Sequence, residues 1–255
     1  LQRWMQEDKS RIFVKTIDNP NTSLTQVIDV LTQYSYAELE SIELSPPVEK
    51  GLRVSLVRRF FSDHLDFINV AKNFLSVWDY ITLVKQIIYP ADSHGKLGGK
   101  SAGLFLAQKV LQSSSENKEL FASLKVPKTW YIESDGLLNF LDYNNLEEVY
   151  EQKYKDIDEV RLEYPNMIQV FKNSHFPPEI LKGLSMAIDE IGECPIIVRS
   201  SSLLEDRMGA AFSGKYKSLF LANQGSKNER LAALTDAIAE VYASTFAPDP
   251  IQYRI

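Results

Sequence analysis

An α+β fold with a mainly helical N-terminal region is predicted for this chain of 255 residues. Apolar residues recur at three- and four-residue steps from Ser62 to Tyr89, which is the periodicity of one helix face. Further helical patterns run over 101–112, 180–191 and 227–246. In contrast, Ile196–Val198 is a β-branched apolar run typical of a buried strand, and the segment 212–222 predicts a second strand.

Two short elements are predicted ahead of the long helix. The segment Arg11–Ile17 alternates in part between polar and apolar residues, enough to predict a strand. A turn rich in Asn and Asp follows it, and Thr22 or Ser23 then caps a helix that ends near Tyr34.

The long helix, 62–89, carries an apolar stripe too wide to face solvent, so we expect it to pack on the rest of the chain. A partner-binding or dimerising helix is the alternative, and it leaves a homo-oligomer open. Pro90 ends the helix. We therefore expect an N-terminal region over 1–90 and a second domain over 91–255.

The composition is that of ordinary globular material, with 44% apolar and 24% charged residues. A net charge of −6 argues against binding to nucleic acid or to anionic membranes, both of which require a basic surface. The sequence has no apolar run of membrane-spanning length and no signal peptide, so a cytoplasmic protein is expected. The first residue, Leu rather than Met, is consistent with a piece cut from a longer chain.

Residues suited to metal or redox chemistry are scarce. Cys194 is the single cysteine, which excludes an internal disulfide and a cysteine-based zinc site. Its place just before a strand predicts a buried structural thiol. The three histidines, His64, His94 and His175, lack metal-binding spacing, so we expect no histidine-based metal site within this chain.

A candidate anion-binding segment stands at the start of the helix 101–112. Gly98, Gly99 and Lys100 lie at the helix N-terminus, where free N–H groups and the helix dipole favour an anion. A Walker A loop is not predicted, because the glycine at position 95 makes the spacing one residue short and no strong strand precedes it. For this segment taken alone, an ordinary helix cap is the alternative.

A second candidate segment begins where the strand Ile196–Val198 ends. Arg199 and the three serines that follow it offer a forked guanidinium and hydroxyl groups, which suit phosphate oxygens. Small residues up to Gly214 let the backbone approach a ligand closely. Glu205 and Asp206 either orient Arg199 or the loop, or bind Mg²⁺ as paired carboxylates, and a purely structural ion pair with Arg199 is the alternative.

Both segments resemble signatures of one family of nucleotide-binding domains. The Arg199 segment, Pro195–Tyr216 (PIIVRSSSLLEDRMGAAFSGKY), is similar to the VRSSATAEDLPDASFAGQ signature of phosphoenolpyruvate synthase, pyruvate phosphate dikinase, rifampin phosphotransferase and glucan water dikinase. The Lys100 segment, Leu97–Leu104 (LGGKSAGL), resembles that family's LGGKGANL. The tail Leu231–Arg254 resembles the helix that follows in these enzymes, so the likeness covers about residues 96–255 in one order.

The chain departs from the family pattern at two places. A GLPVPPGF segment of the relatives keeps only Val126 and Pro127 here, and Lys215 stands where many relatives have glutamine. No role is therefore assigned to Lys215.

The resemblance implies the ATP-grasp fold, in which two α+β lobes hold ATP between them, and it implies that this chain supplies the first lobe. In the relatives, the second lobe carries the acidic metal ligands and a separate swivelling domain carries the phosphorylated histidine. ATP is thus the implied ligand, and Mg²⁺ is implied with its ligands outside this chain. The missing lobe and the phosphohistidine domain are the implied partners.

The resemblance also implies roles for individual residues. Lys100 and Arg199 would hold the ATP phosphates during transfer and would face a common cleft. The remaining members of the implied ATP-binding set are Gly98, Gly99, Ser200, Ser201, Glu205 and Gly214.

The function implied is ATP-dependent phosphotransfer through a phosphohistidine, of phosphoenolpyruvate synthase or dikinase type. Because the metal ligands are expected elsewhere, this fragment alone is expected to be inactive. The alternative is a non-catalytic binding or regulatory protein that keeps the nucleotide-lobe scaffold and docks through the helix 62–89.

Overall fold

A computed structural model describes residues 12–36, 45–113, 121, 125–202 and 214–254. The chain divides into two compact units, Leu1–Asp135 and Gly136–Ile255. The domain boundary predicted after residue 90 does not coincide with this division. A sequence domain can extend over more than one packed unit, so the predicted boundary stays a prediction. An α+β mixture with a mainly helical N-terminal region is confirmed.

Where the structure describes the first unit, its regular elements are helices and one pair of very short strands. Strand β1 pairs with β2 in parallel, with Ile87 opposite Tyr131. The elements in chain order are α1 (12–18), α2 (Leu24–Tyr36), α3 (Pro46–Phe60), α4 (Leu65–Phe74), α5 (Val77–Leu83), a 3-10 turn (Val84–Gln86), β1 (Ile87–Ile88), α6 (Gly99–Ser113) and β2 (Tyr131–Ile132).

Aromatic and branched side chains fill one core in the first unit. The rings of Phe60 and Tyr80 lie 5.5 Å apart, and those of Phe61 and Phe105 are also 5.5 Å apart. Each such side chain stabilises the fold by about 1.5–3 kcal/mol when it is fully buried. Because Phe105 is in α6, this core fixes the helix that begins at Gly99.

The strand predicted over Arg11–Ile17 is wrong, because the described part of this segment, 12–18, is helical. Phe13 and Ile17 stand four residues apart and are both buried, and Phe13 stacks on Tyr34 with ring centroids 4.3 Å apart. An alternating pattern this short fits either element, and burial of one helix face decided the outcome.

The next helix is confirmed as α2. Ser23 caps it through a reciprocal pair of bonds, in which the Gln26 N–H donates to Ser23 Oγ (3.3 Å) and the Ser23 N–H donates to Gln26 Oε1 (3.0 Å).

The single long helix predicted over 62–89 is wrong. The segment instead forms α4, α5, a 3-10 turn and β1, with a break at Leu75 and Ser76. Asp79 causes the break: its Oδ2 accepts bonds from the Ser76 N–H (2.8 Å) and the Ser76 hydroxyl (2.7 Å), and these start a new helix. Lys109 holds the same carboxylate at 2.6 Å. The segment does pack in the unit, because Ile68 and Tyr80 are buried.

The second unit combines helices with one antiparallel strand pair. Its elements are α7 (Asp135–Tyr143), a 3-10 helix (Glu147–Tyr154), α8 (Ile157–Asn173), α9 (Pro178–Ile191), β3 (Ile196–Arg199), β4 (Ser218–Leu221), α10 (Lys227–Ala243), a 3-10 turn (Ser244–Phe246) and α11 (Pro248–Arg254). The helix predicted over 180–191 is confirmed as α9. It ends at Gly192, whose φ of +72° favours glycine.

The core of the second unit lies between α8, α9 and α10. Phe140 contacts Phe176 with ring centroids 4.8 Å apart and Phe171 at 5.6 Å. Helix α10 packs against both strands as well as against α8. The strand pair is therefore covered on one face, which decides how the residues of β3 are exposed.

Cys194 is exposed, so the predicted buried thiol is wrong. The backbone is the anchored part of this turn: the Asn223 side chain donates to the carbonyl oxygens of Gly192 and Cys194, at 2.7 Å each. Within the ranges that the structure describes, no helix has the length and apolar character needed to cross a membrane.

Candidate functional site

The pair of strands β3 and β4 has two unlike faces. The register places Ile197 opposite Phe220 and Arg199 opposite Ser218. All four of these residues are exposed, whereas the residues that alternate with them are half-buried. The prediction of a fully buried strand is therefore wrong, because Ile197 is 43% exposed and Phe220 is 82% exposed. Arg199 and Ser218 lie at one end of an exposed face whose other two residues, Ile197 and Phe220, are apolar.

Arg199 ends β3 and points to the exposed face of the strand pair. It makes no ion pair within the described part of the chain. Glu205 and Asp206, its predicted partners, lie outside the described residues. Ser200 and Ser201 follow the strand and are half-buried. Gly214 has a φ of +79°, which favours glycine there.

The Gly98–Gly99–Lys100 segment lies at the start of α6, as predicted. All three residues are half-buried, and Gly98 O accepts the Ala102 N–H at 2.9 Å, which opens the helix. The N–H groups of Gly98 and Gly99 have no acceptor among the described residues. Two unpaired donors beside a lysine at a helix N-terminus suit an anion. Only the two-residue strand β1 precedes this loop among the described residues, and that is not the strong strand of a Walker A loop.

The loop before these glycines is held along its whole length. Each backbone N–H from Ser93 to Leu97 donates a hydrogen bond. The acceptors, in chain order, are Pro90 O (3.1 Å), Asp135 Oδ2 (2.9 Å), Ser93 Oγ (3.1 Å), Ser134 Oγ (3.0 Å) and Phe60 O (2.8 Å). The loop therefore has a defined conformation without regular secondary structure, and paired donors give way to unpaired ones at Gly98.

Two buried charged residues hold this loop. Arg59 of α3 donates from Nη1 to His94 O and from Nη2 to Thr22 O, both at 3.1 Å. Glu133, just after β2, accepts the Ser93 hydroxyl at 2.5 and 2.7 Å. Arg59 is 9% exposed and Glu133 is 3% exposed. Buried charges are tolerated when hydrogen bonds and an opposite charge compensate them.

The Glu133 carboxyl has an unusual protonation equilibrium. Burial raises its pKa to about 7, although hydrogen bonds from the Ser93 hydroxyl and the Asp135 N–H and the charge of Arg59 lower it. The charge of Asp135 acts in the same direction as burial. Burial also lowers the pKa of Arg59, and the charges of Glu133 and Asp135 oppose that shift. Glu133 therefore changes its charge near neutral pH.

Four residues that lie beside the two candidate segments or hold them were not singled out from the sequence. Ser218 and Phe220 could have been found, because they alternate with Leu219 and Leu221 in a predicted strand. Arg59 and Glu133 carried no comparable signal, since both are far in sequence from the loop that they hold.

Two surface cavities lie away from the candidate residues. One, of about 550 Å³, is an open polar concavity lined in part by Lys15, Asn21 and Asp29. The other, of about 170 Å³, includes His175 and Asp236. Neither cavity is lined by Gly98, Gly99, Lys100 or Arg199. Phosphate binding depends on charge and on oriented N–H groups, which those four residues supply.

The structure brings the predicted residues together in two sets. Gly98, Gly99 and Lys100 belong to the first compact unit, and the Arg199 segment belongs to the second. The common cleft expected for Lys100 and Arg199 stays a prediction. Among the described residues there is no cluster of three or more His, Cys, Asp or Glu side chains that could hold a metal ion.

Comparison with known proteins identifies the family. Residues 94–255, more than half of the chain, match the family described as pyruvate phosphate dikinase, AMP/ATP-binding domain. No curated protein and no solved structure matches the chain. The matched region begins in the loop held by Arg59 and Glu133 and contains both candidate segments. The chain therefore belongs to the family of AMP/ATP-binding domains of pyruvate phosphate dikinase.

Proposed function

We propose that Lys100 and Arg199 bind the phosphates of one ATP molecule in a phosphotransferase that acts through a phosphohistidine. The main observation behind the proposal is the family match over residues 94–255, which supports its ATP-binding part. The type of enzyme, phosphoenolpyruvate synthase or dikinase, rests on the sequence resemblance. Pyruvate or phosphoenolpyruvate as a reactant rests on the same resemblance, and a cytoplasmic location rests on the sequence composition.

Each group that we propose to bind phosphate suits that role for a physical reason. Lys100 adds a full charge to the unpaired N–H groups of Gly98 and Gly99, which already favour an anion. Arg199 offers a forked set of donors on an exposed face, and a charge-assisted bond to phosphate is about twice as strong as a neutral one. The hydroxyls of Ser200 and Ser201 come next in the chain and would add further donors.

The exposed face of β3 and β4 offers more than a cation. Ile197 and Phe220 lie side by side there, next to Arg199 and Ser218. An exposed aromatic ring beside a phosphate-binding arginine suits a nucleotide, because the base can stack on the ring while the phosphates contact the guanidinium. We include Phe220 in the proposed ATP-binding surface for this reason.

Catalysis needs more than these groups. Phosphoryl transfer depends on metal ions that neutralise the developing charge and align the reactants. The sequence resemblance assigns the Mg²⁺ ligands to a second lobe. We therefore propose that this chain alone binds Mg-ATP weakly and does not transfer phosphate.

Loss of Arg199 should weaken ATP binding. Each charge-assisted contact to phosphate is worth roughly 1.5–3 kcal/mol, so Arg199→Ala should raise the Kd for Mg-ATP about tenfold to a hundredfold. Calorimetric titration of the chain measures this, and Lys100→Ala should behave in the same way. The controls Arg161→Ala and Lys85→Ala remove exposed cations of the same two units and should leave the Kd unchanged. Equal affinity of Arg199→Ala and wild type would refute the assignment.

A non-catalytic binding protein is the second candidate. Val70, Phe74 and Trp78 are exposed at four-residue spacing on α4 and α5, which favours contact with a partner or with a second copy. Sedimentation of wild type and Trp78→Ser tests self-association. If the chain shows no heat with Mg-ATP up to millimolar concentration but forms a dimer that Trp78→Ser disrupts, the binding role is preferred.

A further inference from the structure

Helix α6 follows a loop that is held by residues from other parts of the chain. Ser93–Leu97 has no regular secondary structure, yet its N–H groups are all paired. The loop ends directly at Gly98, where the unpaired donors begin. Its conformation therefore fixes the backbone that enters the first turn of α6, and it acts together with the core around Phe105 to place Lys100.

We propose that Arg59 and Glu133 are positioning residues for Lys100: together they hold the Ser93–Leu97 loop in the conformation that presents Gly98, Gly99 and Lys100 to phosphate. This inference rests on the proposed function. Neither residue is placed in contact with the nucleotide. They act through the loop, from α3 on one side and from the end of β2 on the other.

The two residues hold different parts of the loop. Arg59 binds its carbonyl side, at His94 O (3.1 Å) and Ser93 O (3.5 Å), and ties it to Thr22. Glu133 binds the Ser93 hydroxyl, and the Ser93 oxygen in turn accepts the Gly95 N–H at 3.1 Å. A single serine thus links the buried carboxyl to the loop backbone.

The loop also approaches Glu133 too closely for any side chain. A Cβ placed on Gly95 would lie 2.0 Å from Glu133 Oε1 and 2.5 Å from Oε2. Such close contact means that the carboxyl and the loop backbone cannot move independently. A displaced carboxyl would move the loop, which is what a positioning role requires.

Charge explains why both residues are present. Arg59 interacts with the negative charges of Glu133 and Asp135, and Asp135 Oδ2 accepts the His94 N–H at 2.9 Å. Removing either member of the Arg59–Glu133 pair leaves a buried charge with less compensation. For this reason the sharpest variant is one that breaks the link without removing a charge.

The test compares Ser93→Ala with Ser55→Ala in the intact 255-residue chain. Both changes remove one hydroxyl from the first unit; that of Ser55 donates to Gly51 O within α3. In the nucleotide-free chain, Ser93→Ala should speed amide exchange of Gly95, Lys96 and Leu97 about tenfold to a hundredfold. Its Kd for Mg-ATP should rise about threefold to tenfold, while Ser55→Ala changes neither quantity.

A pair of variants at Glu133 separates positioning from general stability. Glu133→Ala should weaken Mg-ATP binding at least as much as Ser93→Ala. Glu133→Gln keeps the size of the side chain and an oxygen acceptor for the Ser93 hydroxyl, so it should recover most of the lost affinity. Circular dichroism at the temperature of the titrations establishes that each variant is folded.

The outcomes distinguish a failure of the positioning role from a failure of the proposed function. Faster loop exchange with weaker ATP binding, recovered in Glu133→Gln, supports the positioning role. Faster loop exchange with unchanged ATP affinity overturns it and leaves the proposed function intact. Absence of Mg-ATP binding by the wild-type chain overturns the proposed function, and the positioning role with it.

Discussion

Replacing Gly95 by alanine should lower the free energy of unfolding by about 3 kcal/mol. The added Cβ would lie 2.0 Å from Glu133 Oε1, so either the carboxyl or the loop must shift. A shift of the carboxyl breaks its bonds with the Ser93 hydroxyl and the Asp135 N–H inside the protein. Urea unfolding followed by circular dichroism measures the loss.

Two further variants make the cause of that loss testable. Gly51→Ala is the control, because a Cβ at Gly51 meets nothing within 4 Å and the residue is inside α3. It should be neutral or stabilising by up to about 1 kcal/mol. In a Glu133→Ala background the Gly95→Ala change should cost much less, since the clashing oxygen is gone. Strictly additive losses in the double variant would contradict the proposed contact.

The pH dependence of stability should carry a contribution of about 3 kcal/mol from Glu133. Burial raises its pKa in the folded chain from 4.5 to about 7. Between these two values the folded state keeps a proton that the unfolded state has lost. This contribution to stability is therefore fully present below pH 4.5 and is lost as the pH rises through 7.

The measurement is a set of urea unfolding curves between pH 4.5 and 8 for wild type and Glu133→Gln. The variant cannot titrate at this position, so its stability relative to wild type should increase by about 3 kcal/mol across the range. Glu148→Gln, which changes an exposed carboxyl, should follow wild type. Parallel pH profiles for Glu133→Gln and wild type would show that Glu133 has an ordinary titration in the folded chain.

Helices with a marked start and end were predictable from the sequence. Helix α9 has Pro177 at its N-cap, Pro178 in its first turn and Gly192 after its last turn, and both ends lie where these residues indicated. The prediction of one helix from Ser62 to Tyr89 was wrong because the apolar stripe continues across the break between two helices. The pattern Ser76-x-x-Asp79 marked that break, but a stripe of apolar residues contains no information on caps.

Candidate site residues were predictable where they are neighbours in the sequence. Gly98–Lys100 and Arg199 could be proposed because each stands at the boundary of a predicted element, and their binding of phosphate stays a prediction. Exposure of the strand was not predictable, since Ile196–Val198 is apolar at every position and gives no alternation to read. Arg59 and Glu133 reach the loop through tertiary packing alone.

The central claim, that one ATP molecule contacts both segments, is tested most directly by amide hydrogen exchange of this chain with increasing Mg-ATP. Amides of Gly98–Ser101 and of Arg199–Ser202 should both exchange more slowly, with the same midpoint of ATP concentration, because a single ligand protects both. The exposed Glu147–Tyr154 helix should be unaffected. Protection of one segment alone, or of neither at saturating ATP, would contradict the claim.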